Sequence, residues 1–211
     1  MTSYPTPDFS PTTLSDSHKR MLFEESAIDP SVIAERGYHT ARRRSDVPKA
    51  FKEYQRKPGL VVPMFSPDGV TRSWQLRPDK PRTDKKGKPI RYETPGGFDV
   101  ILDAHPRILE EVESGSEDLW ITEGIKKADA LTSRGLPTIG LIGVWNWQRD
   151  DDLLPCWQHV RLKGRRVYVV FDSDVMLKEG VQLALERLVL ALEDRGAEVL
   201  VVYLPEEVCY A

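Results

Sequence analysis

Residues 119–131 read Leu119-Trp120-Ile121-Thr122-Glu123-Gly124-Ile125-Lys126-Lys127-Ala128-Asp129-Ala130-Leu131, and residues 166–174 read Arg166-Val167-Tyr168-Val169-Val170-Phe171-Asp172-Ser173-Asp174. Each opens as an apolar run without polar alternation and then meets an acid. Such runs are strands covered on both faces, which is the habit of a parallel sheet. After Glu123 the apolar spacing turns helical over 125–134 and stops at Gly135. Residues 138–142 predict another strand, 178–195 a long helix with Gly196 beyond it, and 198–204 a further strand. Strands alternating with helices make residues 117–211 an α/β domain, a parallel sheet flanked by helices.

Functional groups of such sheets collect at the carboxyl ends of the strands. Two of those ends carry acids here: Glu123 at one, Asp172 and Asp174 at the other. Clustered carboxylates repel one another unless a cation is present. Magnesium, which takes oxygen ligands and leaves room for water and phosphate, suits such a cluster. Taken singly, Glu123 also reads as an acid favouring a helix N-terminus, and Asp172 as a cap for the helix that follows.

The preceding part of the chain has another character. Residues 1–12 are polar and Pro-rich and read as a disordered leader. Ser15 can cap a helix to about Glu25. Asp29-Pro30 opens a second helix that Gly37 ends. Arg42-Arg43-Arg44-Ser45 is a basic connector, and 46–54 a helical turn or two. Residues 59–65 then form an apolar strand, Pro67-Asp68-Gly69 a turn and 70–76 the returning strand of a hairpin. A polar, basic loop runs from Arg77 to Arg91. These features predict a smaller basic α+β subdomain over 13–97, joined to the sheet domain through a helix over 104–115 within a bridging stretch, 98–116.

The chain of 211 residues holds 30 Lys+Arg and 33 Asp+Glu, a formal net charge of −3. That near-neutral sum conceals a partition. Residues 36–91 carry 16 basic and 5 acidic groups, a net of +11, whereas residues 92–160 carry 5 and 13, a net of −8. Polyanion binding and metal binding housed in separate segments would give this pattern, as would a merely solvated charged surface. No apolar run is long enough for a membrane span, and the first residues lack the order of a secretory signal. Two cysteines and four histidines offer neither a disulfide framework nor a zinc-site spacing. A cytoplasmic protein without zinc or membrane contact is expected.

Glu123-Gly124 after its strand, followed by Asp172-Ser173-Asp174 after another, resembles the Toprim domain shared by bacterial replicative primases, type IA and II topoisomerases and certain nucleases. Residues 59–97 resemble the basic subdomain that precedes Toprim in bacterial-type primases, through Val62-Pro63-Met64-Phe65, Asp68-Gly69, Gln75-Leu76-Arg77 and Arg91-Tyr92-Glu93-Thr94-Pro95. The stretch Arg77-Pro78-Asp79-Lys80-Pro81-Arg82 is similar to a motif of Toprim-like primase-related proteins of phages, plasmids and integrated mobile elements. Departures are the Ser173-Asp174-Val175-Met176 run, where replicative primases usually have Gly-Asp-Ala-Gly, and a weakly represented later acidic cluster. The zinc-binding template-reading domain of those primases is not represented either.

The resemblance implies a metal-dependent nucleotidyltransferase that acts on a single-stranded DNA template in replication. Glu123, Asp172 and Asp174 would be the catalytic acids and the ligands of Mg2+ or Mn2+. Arg77, Lys80, Arg82, Lys88, Arg91 and Tyr92 would bind nucleotide triphosphates and the nucleic-acid strand. Lys126 and Asn146 are further candidates. Lys127 reads as a solvated helix face, and Trp145 and Trp147 serve either base stacking or packing. Cys156 and His159 read as structural. A helicase or other replication protein is the expected partner. A Toprim nuclease and a non-catalytic nucleic-acid-binding module are the alternatives. A haloacid-dehalogenase-type phosphatase ranks last, because Asp172 lies too late for its other motifs. A topoisomerase is disfavoured for want of a tyrosine-bearing domain.

Overall fold

The computed structural model describes residues 14–70, 72–150, 152–171 and 179–204. Its chain divides into two units. One holds the described residues through Phe65 together with 72–99, and the other holds Ser66–Val70 and the residues from Val100 onward.

The first unit is organised by the hairpin. Strand β1 (His39–Ala41) pairs antiparallel with β2 (Gly59–Phe65), which pairs with β3 (Arg72–Pro78) from Gly59 opposite Pro78 to Phe65 opposite Arg72. Gly59 is required by contact. A Cβ there would lie 2.3 Å from the Arg77 carbonyl oxygen, inside any tolerable separation. Phe51, Val61, Trp74 and Leu76 form the core against one side of the sheet, and Phe98 meets Trp74 edge-on at 6.3 Å.

Two helical segments precede the sheet. The first differs from the single helix expected over 15–25. α1 (Asp16–Lys19) begins at Ser15, whose hydroxyl accepts the His18 N–H, but the next turn, Arg20–Glu25, is π-helical. The widened turn is closed by the Ser26 hydroxyl, which donates to the Met21 carbonyl at 2.7 Å, and by the Ile28 N–H, which donates to the Leu22 carbonyl at 3.1 Å. Leu22 and Ile28 are both fully buried, so the widened turn serves burial at both positions, which propensity alone would not call for. α2 (Pro30–Arg36) follows its sequence signals closely, with Asp29 accepting from Ser31 and Gly37 in the left-handed region at its end.

The second unit is built on a five-stranded sheet. In chain order its strands are β4 (Asp103–Ala104), β5 (Leu119–Glu123), β6 (Thr138–Leu141), β9 (Arg166–Val170) and β10 (Glu198–Val202); a small ribbon of β7 (Gln148–Arg149) and β8 (Asp152–Leu153) lies between them in sequence. The order across the sheet is β10-β9-β5-β6-β4. The four longer strands are parallel and β4 is antiparallel to β6. α4 (Ile125–Thr132) packs on β6, where a Cβ on Gly140 would lie 3.3 Å from that of Ala128. Leu185, Leu188 and Leu192 of α5 (Glu179–Glu193) join Ile121, Ile139, Leu141, Val167 and Val169 in the core. The fold class is therefore the expected one, an α/β sheet domain preceded by a smaller unit with a hairpin.

The helix expected over 104–115 is shorter. Pro106 disfavours a helical conformation at the residue before it, and His105 is extended at φ −58°, ψ 140°. Asp103 and Ala104 are released to pair with Gly140 and Ile139. A 3-10 turn, Pro106–Ile108, then leads into α3 (Leu109–Ser114). Among the described residues, no helix is long and apolar enough to cross a membrane.

Arg165, 3% exposed, fastens the loop before β9 to the end of α3. Its guanidinium donates to the carbonyls of Glu117 at 2.7 Å, Glu111 at 3.0 Å, and Val112 and Arg161 at 3.3 Å each. Burial pulls its pKa down, against the attraction of Asp118, Glu111 and Glu117. Removing the fork strands several carbonyls at once, so Arg165→Ala is expected to lower stability by about 3 kcal/mol. Arg165→Lys, with one ammonium for four acceptors, recovers only part of it. Urea unfolding followed by circular dichroism measures both, and a wild-type midpoint for Arg165→Ala would refute the assignment.

Candidate active site

Glu123 is the last residue of β5 and is half-buried. Gly124 turns the chain into α4 at φ 91°, a region that L side chains rarely adopt, and its N–H donates to the Leu141 carbonyl at 2.8 Å. The carboxylate-bearing residue is thus held between the ends of β5 and β6. On its other side β5 lies against β9, with Thr122 opposite Val170. Phe171, buried, is the next residue after β9. Asp172 and Asp174 follow it in sequence and lie outside the described residues.

Among the described residues, no group of three His, Cys, Asp or Glu side chains could hold a metal ion. The donor chemistry nevertheless fits one. Glu123 supplies a hard oxygen at a strand end, and the neighbouring strand runs straight into an Asp-x-Asp sequence, an all-oxygen set of the kind magnesium prefers. Lys126, half-buried, and Lys127, exposed, stand in the first turn of α4.

Asn146 lies in the loop after β6. Its side-chain amide donates to the Ile142 carbonyl at 3.2 Å and its backbone N–H to the Gly143 carbonyl at 2.8 Å, so it closes the loop upon itself. Trp147 packs in the core, and its carbonyl accepts from the Trp157 indole N–H at 2.9 Å. Trp145 is half-buried, with the Arg187 guanidinium 5.7 Å from its ring centre.

In the other unit the basic residues separate into two kinds. Arg82 donates from Nε and Nη2 to the two carboxylate oxygens of buried Glu93, at 3.0 and 3.2 Å, and lies 5.3 Å from the Tyr54 ring centre. That pairing raises the Arg82 pKa. Glu93 in turn exchanges backbone bonds with Leu76 at 2.8 and 2.9 Å, tying the return of the loop to β3. Arg82 is therefore built into the scaffold. Arg77 is half-buried, donates to the Met21 sulfur and lies 5.9 Å from the Tyr92 ring centre. Burial raises the Tyr92 pKa.

Lys80, Lys88 and Arg91 are exposed. Asp84 shapes the loop tip: its carboxylate accepts the N–H groups of Lys86 at 2.8 Å and Lys88 at 2.9 Å. Gly87 completes the turn at φ 80°. Lys85 and Lys86 share this exposed tip; sequence reasoning passed over them, although their place between Asp84 and Gly87 was a turn signal.

Sequence reasoning also missed His18. It is buried between α1, β1 and the end of β3, where Nε2 lies 3.1 Å from Asp79 Oδ1 and Nδ1 lies 2.7 Å from the Thr40 hydroxyl. With the proton on Nε2, the carboxylate accepts it and the threonine hydroxyl donates to Nδ1. Thr40 Oγ1 also accepts the Ser15 N–H at 2.8 Å. A cleft of about 530 Å³ opens beside this pair, lined among others by Ser17, Met21, Arg77 and Arg91. A lone histidine in a short helix carries no signal of such a partnership, which spans 61 residues.

This architecture recurs in known structures. The RNA polymerase and zinc-binding domains of Aquifex aeolicus primase match with a TM-score of 0.64 at 17% identity, over 92% of this chain and 51% of that one. The RNA polymerase domain of Mycobacterium tuberculosis primase DnaG matches at 0.59 and 13% identity, over 93% and 72%. The E. coli primase catalytic core matches at 0.59 and 14% identity, over 90% and 66%. The fold resembles that of bacterial primase catalytic cores. In sequence, residues 112–208 match the family model described as Domain of unknown function (DUF3854). An uncharacterized protein of Picosynechococcus sp. is 30% identical over 60% of this chain. This chain spans 16% of that relative's length and about half of the Aquifex chain.

Burial lowers the pKa of His18, outweighing the pull of Asp79, and lowers that of His39 as well. Below pH 6.5 the unfolded chain therefore binds more protons than the folded one, and stability falls as pH drops through that range; above it these groups have no effect. The melting temperature is expected to be lower at pH 5 than at pH 7, with a smaller drop in His18→Gln because His39 remains. An unchanged drop in the variant would show that His18 does not titrate with folding.

Proposed function

We propose that the protein is a primase-like, metal-dependent nucleotidyltransferase that acts on a single-stranded DNA template in replication. The observation that carries this reading is Glu123 at the carboxyl end of β5, in register beside the strand that leads into Asp172-Ser173-Asp174, within a primase-core fold. The acids are those of a Toprim-type site, with Glu123, Asp172 and Asp174 as the residues that would hold Mg2+ or Mn2+. The metal would neutralise charge on the transferring phosphoryl group.

The remaining work falls to the chain's own residues. Exposed Lys80, Lys88 and Arg91, with Lys85 and Lys86 at the same loop, supply mobile cations for phosphates of the strand and of the incoming nucleotide triphosphate. Arg77, fixed against Met21 and Tyr92, offers a positioned guanidinium at the mouth of its cleft. Lys126 stands one turn from Glu123 and serves the same site. Arg82 acts indirectly by holding Glu93 and the base of the loop. The Arg77-Pro78-Asp79-Lys80-Pro81-Arg82 form favours the replication of a phage, plasmid or other mobile element as the setting, with a helicase or another replication protein as partner in the cytoplasm.

Purified protein incubated with single-stranded DNA, nucleotide triphosphates and either metal is expected to make primers, and Glu123→Gln to lower the rate at least 100-fold, the scale of losing a charge-stabilising catalytic group. Shortening of end-labelled DNA without nucleotides would replace this reading by a Toprim nuclease. Intact function in Glu123→Gln would replace it by a non-catalytic binding module. Changing Lys80, Lys88 and Arg91 together to Ala is expected to weaken single-strand binding. It should also flatten the slope of log K against log salt by about 2, at roughly 0.7 per phosphate contact. An unchanged slope would remove these residues from the interface.

A further inference from the structure

The sheet of the second unit has a cleft at the end opposite Glu123. The loop before β9 and the last turn of α5 lie at the amino-terminal end of the parallel strands, opposite the end that carries Glu123. They line a cleft of about 590 Å³ with Arg161, Lys163 and Arg195 among its walls and Leu153, Pro155 and Leu162 among its apolar lining.

The backbone and stems from which its three exposed cations rise are fixed by their surroundings. The Arg161 stem crosses Gly115 so closely that a Cβ there would lie 2.6 Å from Arg161 Cγ, and Gly115 is itself left-handed at φ 70°. The Arg161 N–H donates to the Val112 carbonyl at 3.0 Å, and its carbonyl accepts from buried Arg165. The Lys163 stem lies over Gly196, where a Cβ would meet Cγ at 3.4 Å, and the Gly164 N–H donates to the Gly196 carbonyl at 2.7 Å. Arg195 donates to the Ala191 carbonyl at 3.3 Å and lies 3.4 Å from Asp152.

We propose that this cleft binds an acidic peptide segment of another protein, with carboxylates against Arg161, Lys163 and Arg195 and an apolar side chain on the floor between them. Charge complementarity selects an anionic occupant. Two features favour a peptide over a nucleic-acid strand. Glu113 and Asp152 also line the cleft; they repel a continuous run of phosphates, whereas they can accept N–H groups of a peptide backbone. The indole of Trp157 is 4% exposed with its N–H engaged, so it offers no face on which a base could stack. The inference stands on this cleft alone and does not depend on the catalytic reading above.

Fluorescence anisotropy with the full chain tests it. The probes are fluorescein-labelled Glu-Asp-Leu-Glu-Asp-Phe-Glu-Asp, the same peptide with every acid replaced by its amide, and a labelled oligothymidine. The acidic peptide is expected to bind with a Kd below about 1 mM, and the amide peptide at least tenfold more weakly. Arg161→Gln with Lys163→Gln should cost the acidic peptide about tenfold while leaving oligothymidine binding unchanged. Circular dichroism checks folding, and Lys163→Gln alone, at an exposed side chain, must still weaken the peptide about threefold. Equal binding of both peptides, no binding at about 1 mM, or no effect of Lys163→Gln would overturn the proposal. Loss of oligothymidine binding in the double variant would assign the cleft to nucleic acid instead.

Discussion

The register between β5 and β9 is the constraint on which the candidate site rests. Two parallel strands of five residues each are hydrogen-bonded so that Thr122 faces Val170, and their carboxyl ends therefore emerge level. A slip of one residue would turn Ile121 of β5, or Val167 and Val169 of β9, out of the core, because side chains alternate between faces. All three are fully buried, so the hydrophobic core itself fixes where Glu123 stands and where the chain leaves for Asp172. Gly124 completes the device. Its conformation lets the backbone bend into α4 immediately, and its N–H reaches Leu141 across the strand ends. The place of the acid at the strand end is set by core packing and by one glycine.

A different logic governs the opposite end of the sheet. There the loop before β9 sends Val160 and Leu162 into the core, and it is fastened to α3 by Arg165, a buried charge whose donors meet carbonyl dipoles of α3 and its surroundings. Four acceptors around one guanidinium make the arrangement rigid because the fork is planar and its donors point in fixed directions. The same anchor fixes the Arg161 carbonyl and thereby the base of a neighbouring cation. One buried arginine thus organises an exposed one.

Much of this was legible in the sequence because the decisive signals are local. The hairpin strand 59–65, the glycine and proline caps of α2, and the apolar runs ending in acids were each readable from a few adjacent residues. The misreadings are equally instructive. The expected helix over 104–115 ignored the effect of Pro106 on His105, a local rule that was available. The π-helical turn over 20–25 was not available, since it depends on Leu22 and Ile28 being buried together. The His18–Asp79 pair and the Arg82–Glu93 pair join residues distant in sequence or across a turn, and a charge count treats their members like any other basic or acidic group.

That last distinction changes what the basic segment means. Of its arginines, Arg36 is 1% exposed and donates to the Pro63 carbonyl at 3.2 Å, Arg44 pairs with Glu53, Arg82 grips Glu93 and Arg77 is set against Met21 and Tyr92. The lysines at positions 80, 85, 86 and 88 are exposed. Guanidinium groups, planar and weakly hydrated, suit directed bonds inside a fold, whereas ammonium groups on flexible stems act as point charges in water. The net +11 therefore overstates the free charge of this segment; Lys85, Lys86 and Lys88 share one exposed turn shaped by Asp84 and Gly87, while Arg42, Arg43, Lys49, Lys52, Lys57 and Arg91 are exposed elsewhere. A surface of that kind attracts a polyanion through counterion release rather than through fitted contacts. On the proposed reading, discrimination between templates would come from fixed groups such as Arg77, and the exposed lysines would set how strongly, not which, nucleic acid is held.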